Sequence, residues 1–222
     1  MIGIKPPPLW TSMNAIRNYE KHMTHADEIF TFNFDETRKL LAAKEHIEKV
    51  LPSWIRQNPN IIVAGGCWAS KLHNEAIKDI DVFILDCSNI EKEGIRDLMM
   101  MKAWDCEDKT EDYARNNDKV DEVWTSRRNK FQFIFTKHKT RKELIEDFDY
   151  VHCKASYNEG KLYITRKIYD AIENRHLIVQ NNKNIQEWRR NKFLDRGYLE
   201  PADKEPTLGD ILAGALKKTA NA

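Results

Sequence analysis

Cysteine is scarce: Cys67, Cys87, Cys106 and Cys153 are scattered through 222 residues and form no C-x-x-C pair. That spacing excludes a disulfide framework and a cysteine zinc cluster, and it predicts buried free thiols. No run of eighteen apolar residues occurs, so no membrane-spanning helix is expected. Pro6-Pro7-Pro8 falls where the apolar stretch of a signal peptide would lie, which points to a cytoplasmic protein. An excess of one charge is missing too. With 36 Lys and Arg against 35 Asp and Glu, the net charge of +1 gives no general attraction to nucleic acid, and any basic surface must be local. His22, His25 and His46 have no ligand spacing. What remains is ample for a core: 41% hydrophobic and 10% aromatic residues exclude a disordered chain and suit one large domain, or a compact domain with an appendage.

The informative stretch runs from Ile61 to Leu85. Its apolar start, the Gly65-Gly66 pair, about a dozen residues of helical character and the D-I-D of Asp79, Ile80 and Asp81 read as strand, turn, helix, strand. Side chains alternate along a strand, so Asp79 and Asp81 share a face while Ile80 and Val82 point into the packing. Two neighbouring carboxylates repel unless a cation lies between them. Mg²⁺, or Mn²⁺, suits that place because it takes one or two carboxylates plus the phosphates of a substrate. Two glycines without side chains let backbone approach a phosphate closely.

The pattern G-G, twelve residues, D-x-D resembles the signature of the DNA polymerase β-like nucleotidyltransferase superfamily. The wording G-G-C-W-A-S-K-L-H-N-E-A-I-K-D-I-D is most similar to the head of the poly(A) polymerase and CCA-adding enzymes, and to nucleotidyltransferase-like proteins of large phages. The resemblance implies transfer of a nucleoside monophosphate from an NTP to an acceptor hydroxyl on an RNA end, a protein or a small molecule. It implies Asp79 and Asp81 as metal ligands, and Gly65, Gly66 and Ser70 as phosphate holders. The superfamily also asks for a third carboxylate between apolar neighbours on an adjacent strand. Phe148-Asp149-Tyr150 supplies one, with Asp147 the competitor. If the chain is phage-encoded, its place is the host cytoplasm. One departure is plain: the Arg-Asp pair that CCA-adding enzymes carry after the double glycine is Ala69 and Ser70 here. A nucleotide- or partner-binding module without turnover, and a metal-dependent nuclease or phosphohydrolase, are the alternatives.

The rest of the chain predicts a core at 35–164, preceded by an arm and short helix at 1–34 and followed by a helical region at 165–222. Residues 36–51 read as a helix capped by Asp35, with Leu40, Ile47 and Leu51 inward. Phe30, Phe32 and Phe34 alternate like a short strand, and Met99-Met100-Met101 reads as core filling. The polar residues 105–119 read as a loop. Val120–Trp124 and Phe131–Thr136 read as a hairpin; 147–154, with Phe148-Asp149-Tyr150 on a strand, leads into 155–164, and two strands joined by the Asn158-Glu159-Gly160 turn are read there. Helix 184–194 carries Arg189, Arg190 and Lys192, a basic patch able to hold a triphosphate or a nucleic-acid backbone; 207–216 reads as a last amphipathic helix. The whole is expected to be an α/β protein, a mixed sheet of about five strands flanked by helices, with a helical C-terminal extension.

Overall fold

Alternating apolar residues build the centre of the molecule. Phe131, Phe133 and Phe135 point to one side of their strand and are buried, as are Ile61 and Val63, and Ile80, Val82 and Ile84, on the neighbouring strands. The computed structural model describes residues 32–101, 105–111, 117–126, 128–180 and 185–200. The final helix at 207–216 and the arm before residue 32 lie outside the described residues.

The described elements in chain order are α1 (Phe34–Val50), α2 (Ser53–Gln57), β1 (Ile61–Ala64), α3 (Gly66–Leu72), β2 (Ile80–Leu85), α4 (Asn89–Met101), β3 (Cys106–Asp108), β4 (Val120–Ser126), β5 (Phe131–Thr136), α5 (Arg141–Glu146), a 3₁₀ turn (Val151–Cys153), β6 (Ser156–Asn158), β7 (Lys161–Tyr163), α6 (Arg166–Glu173) and α7 (Glu187–Leu194). The seven strands form one mixed sheet in the order β3-β4-β5-β2-β1-β6-β7, more than the five expected. Only β2 and β5 pair in parallel; the other neighbours are antiparallel. One face packs the main core, to which α1, α2, α3, α4 and α6 contribute. The other face carries Ile62, Ala64 and Leu85 under Leu144 and Ile145 of α5.

Several expectations shift by a few residues. Helix α1 is capped by Asn33, not Asp35: its side chain accepts from the Glu36 N–H at 3.0 Å while Glu36 accepts from the Asn33 N–H at 2.8 Å, two free donors satisfied reciprocally. Phe34 therefore opens the helix and is exposed, whereas Phe32 packs edge-on against Tyr169. Of the methionines, Met99 is buried and Met100 is exposed, as helical rotation between neighbours requires. Cys67 and Cys153 are buried, but Cys87 and Cys106 are only half-buried. Cys106 lies on β3, an edge strand within the segment read as loop; its pairing with β4 is a long-range contact that polar composition hides.

The largest correction concerns residues 147–154. They form no strand: Val151–Cys153 is a 3₁₀ turn, and Tyr150 makes an isolated antiparallel bridge to Val179, outside the seven-stranded sheet. The expected Asn-Glu-Gly turn is there: it joins β6 and β7, turning at Glu159 (φ 46°) and Gly160 (φ 78°), a left-handed pair that a two-residue hairpin demands.

Candidate functional site

The site begins with a buried indole. Trp68, in the first turn of α3, is almost fully buried, donates its ring N–H to the Val63 carbonyl at 3.1 Å and stacks on Tyr157 at 6.2 Å. It pins the seven-residue α3 against β1, so the chain must reverse sharply between Ala64 and Gly66. Gly65 makes that reversal at φ 91°, and its N–H donates to the Cys153 carbonyl at 3.2 Å. A Cβ built on Gly65 would lie 2.5 Å from Oδ2 of Asp81. A side chain is thus excluded twice over, by backbone conformation and by the carboxylate pressed against the turn.

Asp81 stands second on β2 and Asp79 just precedes the strand, whose start is pinned by the Ile80 N–H donating to the Lys130 carbonyl at 2.7 Å. Burial, and then the repulsion of Asp79, push the Asp81 carboxyl up from its ordinary value to about 7. Lys192, Arg189 and Arg196 pull in the other direction without cancelling the rise. Burial and the neighbouring Arg189 and Arg196 in turn hold the Lys192 ammonium below its usual range. Among the described residues neither Asp79 nor Asp81 has an ion-pair partner within 4.0 Å. A small cleft lined by Gly66, Ser70, Lys78, Asp79 and Arg196 opens beside them, with the Arg196 Nη1 3.8 Å from the Cβ position of Gly66.

These cations reach the acids because α7 is anchored by Phe193. That ring is buried among Tyr150, His152 and Tyr198, with centroid separations of 5.2, 4.5 and 5.7 Å, an anchor worth about 1.5–3 kcal/mol. His152 is fully enclosed there, and neither ring nitrogen has a hydrogen-bond partner. Burial, then Arg189, lower its pKa to about 3, so the ring is neutral.

The expected site residues divide into those that gather at the glycine turn and those that have charge partners of their own. Gly65, Gly66, Ser70, Asp79 and Asp81 converge. Asp149 is committed elsewhere: it accepts from Arg189 Nε at 2.6 Å and from Nη2 at 3.2 Å. Burial opposes both charges, but the pair overcomes it, holding Asp149 below and Arg189 above its usual range. Asp147 faces His138 at 3.3 Å and Lys119 at 3.7 Å. Arg190 points away and makes a two-pronged bond to Glu200, 2.6 Å on each prong. Lys192 and Arg196 stand where Arg190 was expected. Among the described residues, no group of three His, Cys, Asp or Glu side chains is placed to hold a metal ion.

Strand register reveals a residue that sequence reading missed. Gln132 on β5 pairs with Asp81, between Phe131 and Phe133. Its flanking residues Phe131 and Phe133 are buried, and the register sets its amide beside the Asp81 carboxylate. No local signal marks it, because only the β2–β5 pairing brings it beside Asp81. The carboxylates present fit one cation, completed by substrate oxygens: a buried carboxyl with a raised pKa beside a second carboxylate is relieved by a positive ion.

Two solved structures share features of this architecture. One is the Thermotoga maritima CCA-adding enzyme complexed with tRNA, at 12% identity and TM-score 0.37, covering 74% of this chain and 35% of that one. The other is a CCA-adding enzyme in an apo form, at 10% identity and TM-score 0.42, covering 84% and 45%. The chain thus spans less than half the length of either. No curated protein sequence matches. Among the described residues no helix is long and apolar enough to cross a membrane. The family model of the Gabija anti-defense 2 proteins matches residues 24–175, a span that includes the glycine turn and both carboxylates and stops short of α7, and the chain belongs to that family.

Proposed function

We propose that the protein binds a nucleoside triphosphate with one divalent cation at Asp79 and Asp81 and transfers its nucleotidyl group to an acceptor hydroxyl. The observation that carries this reading is the pressed contact of Asp81 with the side-chain-free turn at Gly65, opposite Arg189, Lys192 and Arg196. A bound Mg²⁺ or Mn²⁺ would neutralise the two carboxylates and draw charge from the α-phosphate oxygens. The protein's own part is positioning. Gly66 and Ser70 leave backbone and hydroxyl open to the phosphates, while Lys192 and Arg196 supply fixed positive charge toward them. The acceptor oxygen bonds to the α-phosphorus, the bridging bond to the β-phosphate breaks, pyrophosphate leaves with the electron pair, and the hydroxyl proton passes to water. The family's description, Gabija anti-defense 2, supports a setting in which this activity would counter the Gabija defence.

A second reading is a nucleotide-binding module without turnover. It is favoured by Gln132 beside Asp81 and by the clamp of Arg189 on Asp149, which among the described residues leave no third open carboxylate at the pair. Incubation with each α-labelled NTP, Mg²⁺ or Mn²⁺ and a cell extract distinguishes them. Label on an acceptor that disappears in Asp79→Asn and Asp81→Asn supports transfer. Metal-dependent binding with no label transferred supports the module. Release of nucleotide from labelled nucleic acid indicates hydrolysis, and equal transfer by both variants removes these residues from the chemistry.

A further inference from the structure

A second cavity, of about 710 Å³, opens between α5, the end of β7 and the start of α6. Its floor is apolar, made by Ile145, Val151, Ile164 and Ile168. Its rim is cationic: Arg141, Lys142, Lys154, Arg166 and Lys167 face two carboxylates, Glu146 and Asp170. That surplus stands out in a chain whose total is +1. Arg166 is drawn into pairs with Glu36, at 2.8 Å through each of two nitrogens, and with Asp170 at 3.2 Å. Lys142 has only a loose 3.9 Å approach to Glu146. The Arg141 guanidinium carbon lies over the Tyr163 ring, 3.9 Å from its centroid, and the guanidinium reaches Ser156 Oγ at 3.3 Å, so the two groups form a platform in the lining.

We infer that this cavity is a ligand site separate from the carboxylate pair, taking a nucleoside phosphate with its base against the apolar floor and the Arg141–Tyr163 platform and its phosphate on the Lys142 and Lys167 rim. Each part of the cavity answers one part of that ligand. The volume lies in the range of small-molecule sites, roughly 300–1,000 Å³. The flat guanidinium and phenol suit stacking by a heterocycle, and the charge surplus suits a phosphate. Strand register also separates the two sites. Asp81 pairs with Ala64, Ala64 with Ser156, and Ser156 with Tyr163. Three strand spacings, about 14 Å, therefore divide Asp81 from Tyr163 along one end of the sheet.

The test is calorimetric titration of the whole protein with 5′-AMP, ADP and inorganic phosphate in EDTA, where metal-dependent binding at Asp79 and Asp81 is silent. AMP and ADP are expected to bind at one site, at least about ten-fold more tightly than phosphate. Lys142 and Lys167 are exposed, so K142E/K167E should melt like the wild type yet lose about ten-fold or more in affinity, with K142R/K167R restoring it. The D79N/D81N variant should bind as the wild type does. Absence of nucleotide binding in EDTA, phosphate binding as tight as AMP, an unaffected charge-reversal variant or loss in D79N/D81N would each overturn the inference. Mg²⁺-dependent NTP binding, measured separately, tells this failure from failure of the transferase reading.

Discussion

Replacing Asp81 by Asn should make the metal-free protein more stable at alkaline pH, the opposite of what most substitutions in a packed strand do. The carboxyl rises from 3.8 to about 7 on folding, chiefly through burial and then through Asp79. At 1.36 kcal/mol per unit, ionising it in the folded chain costs about 4 kcal/mol, and relaxation of the cleft reduces this to about 2–4 kcal/mol. The sign follows from linkage. The folded state holds the proton more tightly, so the stabilising contribution of the protonated carboxyl is fully present below pH 3.8 and is lost as pH rises through about 7. Asn cannot ionise and escapes that loss. In EDTA at pH 8, D81N should therefore melt about 5–10 °C above the wild type, and the gap should shrink toward zero at pH 4. Mg²⁺ at ten times its dissociation constant should return about 1.4 kcal/mol to the wild type and nothing to D81N. The assay is thermal melting across pH 4–8 with and without metal. A variant less stable than the wild type at pH 8, or a gap independent of pH, would show that the carboxylate is held by favourable contacts, and the argument for a cation at this pair would fall.

Further substitutions probe the frame around the pair. Gly65→Ala should lose about 1–3 kcal/mol and weaken metal-dependent nucleotide binding, whereas Gly66→Ala, whose nearest atom is 3.8 Å away, should change melting little; equal effects of the two would refute the pressed contact. Alanine at Asp149 or Arg189 alone should destabilise, and the double variant by less than the sum, with a coupling of about 1–2 kcal/mol in a double-mutant cycle; additivity would mean the pair is not formed. His152→Phe should stabilise the protein by about 1 kcal/mol by removing two ring nitrogens without partners. It should also flatten the acid limb. The folded pKa of about 3 lies below the unfolded 6.5, so His152 contributes stability above pH 6.5 that is lost as pH falls toward 3; an unchanged acid limb in melting curves would contradict a neutral buried ring.

How far the chain could be read without coordinates depended on whether the signal was local. The β4–β5 hairpin was legible because Phe131, Phe133 and Phe135 alternate, and α5 because Thr140 caps it, accepting from the Glu143 N–H at 3.2 Å. The 147–154 segment misled because Phe148-Asp149-Tyr150 alternates like a strand, yet its apolar side chains pack against α5 and α7 rather than along a neighbouring strand.

The glycine turn, both carboxylates and the alternation that buries their neighbours were set by the order of residues, since turn conformation and strand periodicity are properties of a few consecutive positions. Which cations face those carboxylates, that Asp149 belongs to Arg189, that Gln132 sits beside Asp81 and that a basic cavity opens past β7 were decided only by tertiary structure. Each depends on strand register or on the docking of Phe193 beside His152, contacts between segments tens of residues apart that no local pattern encodes.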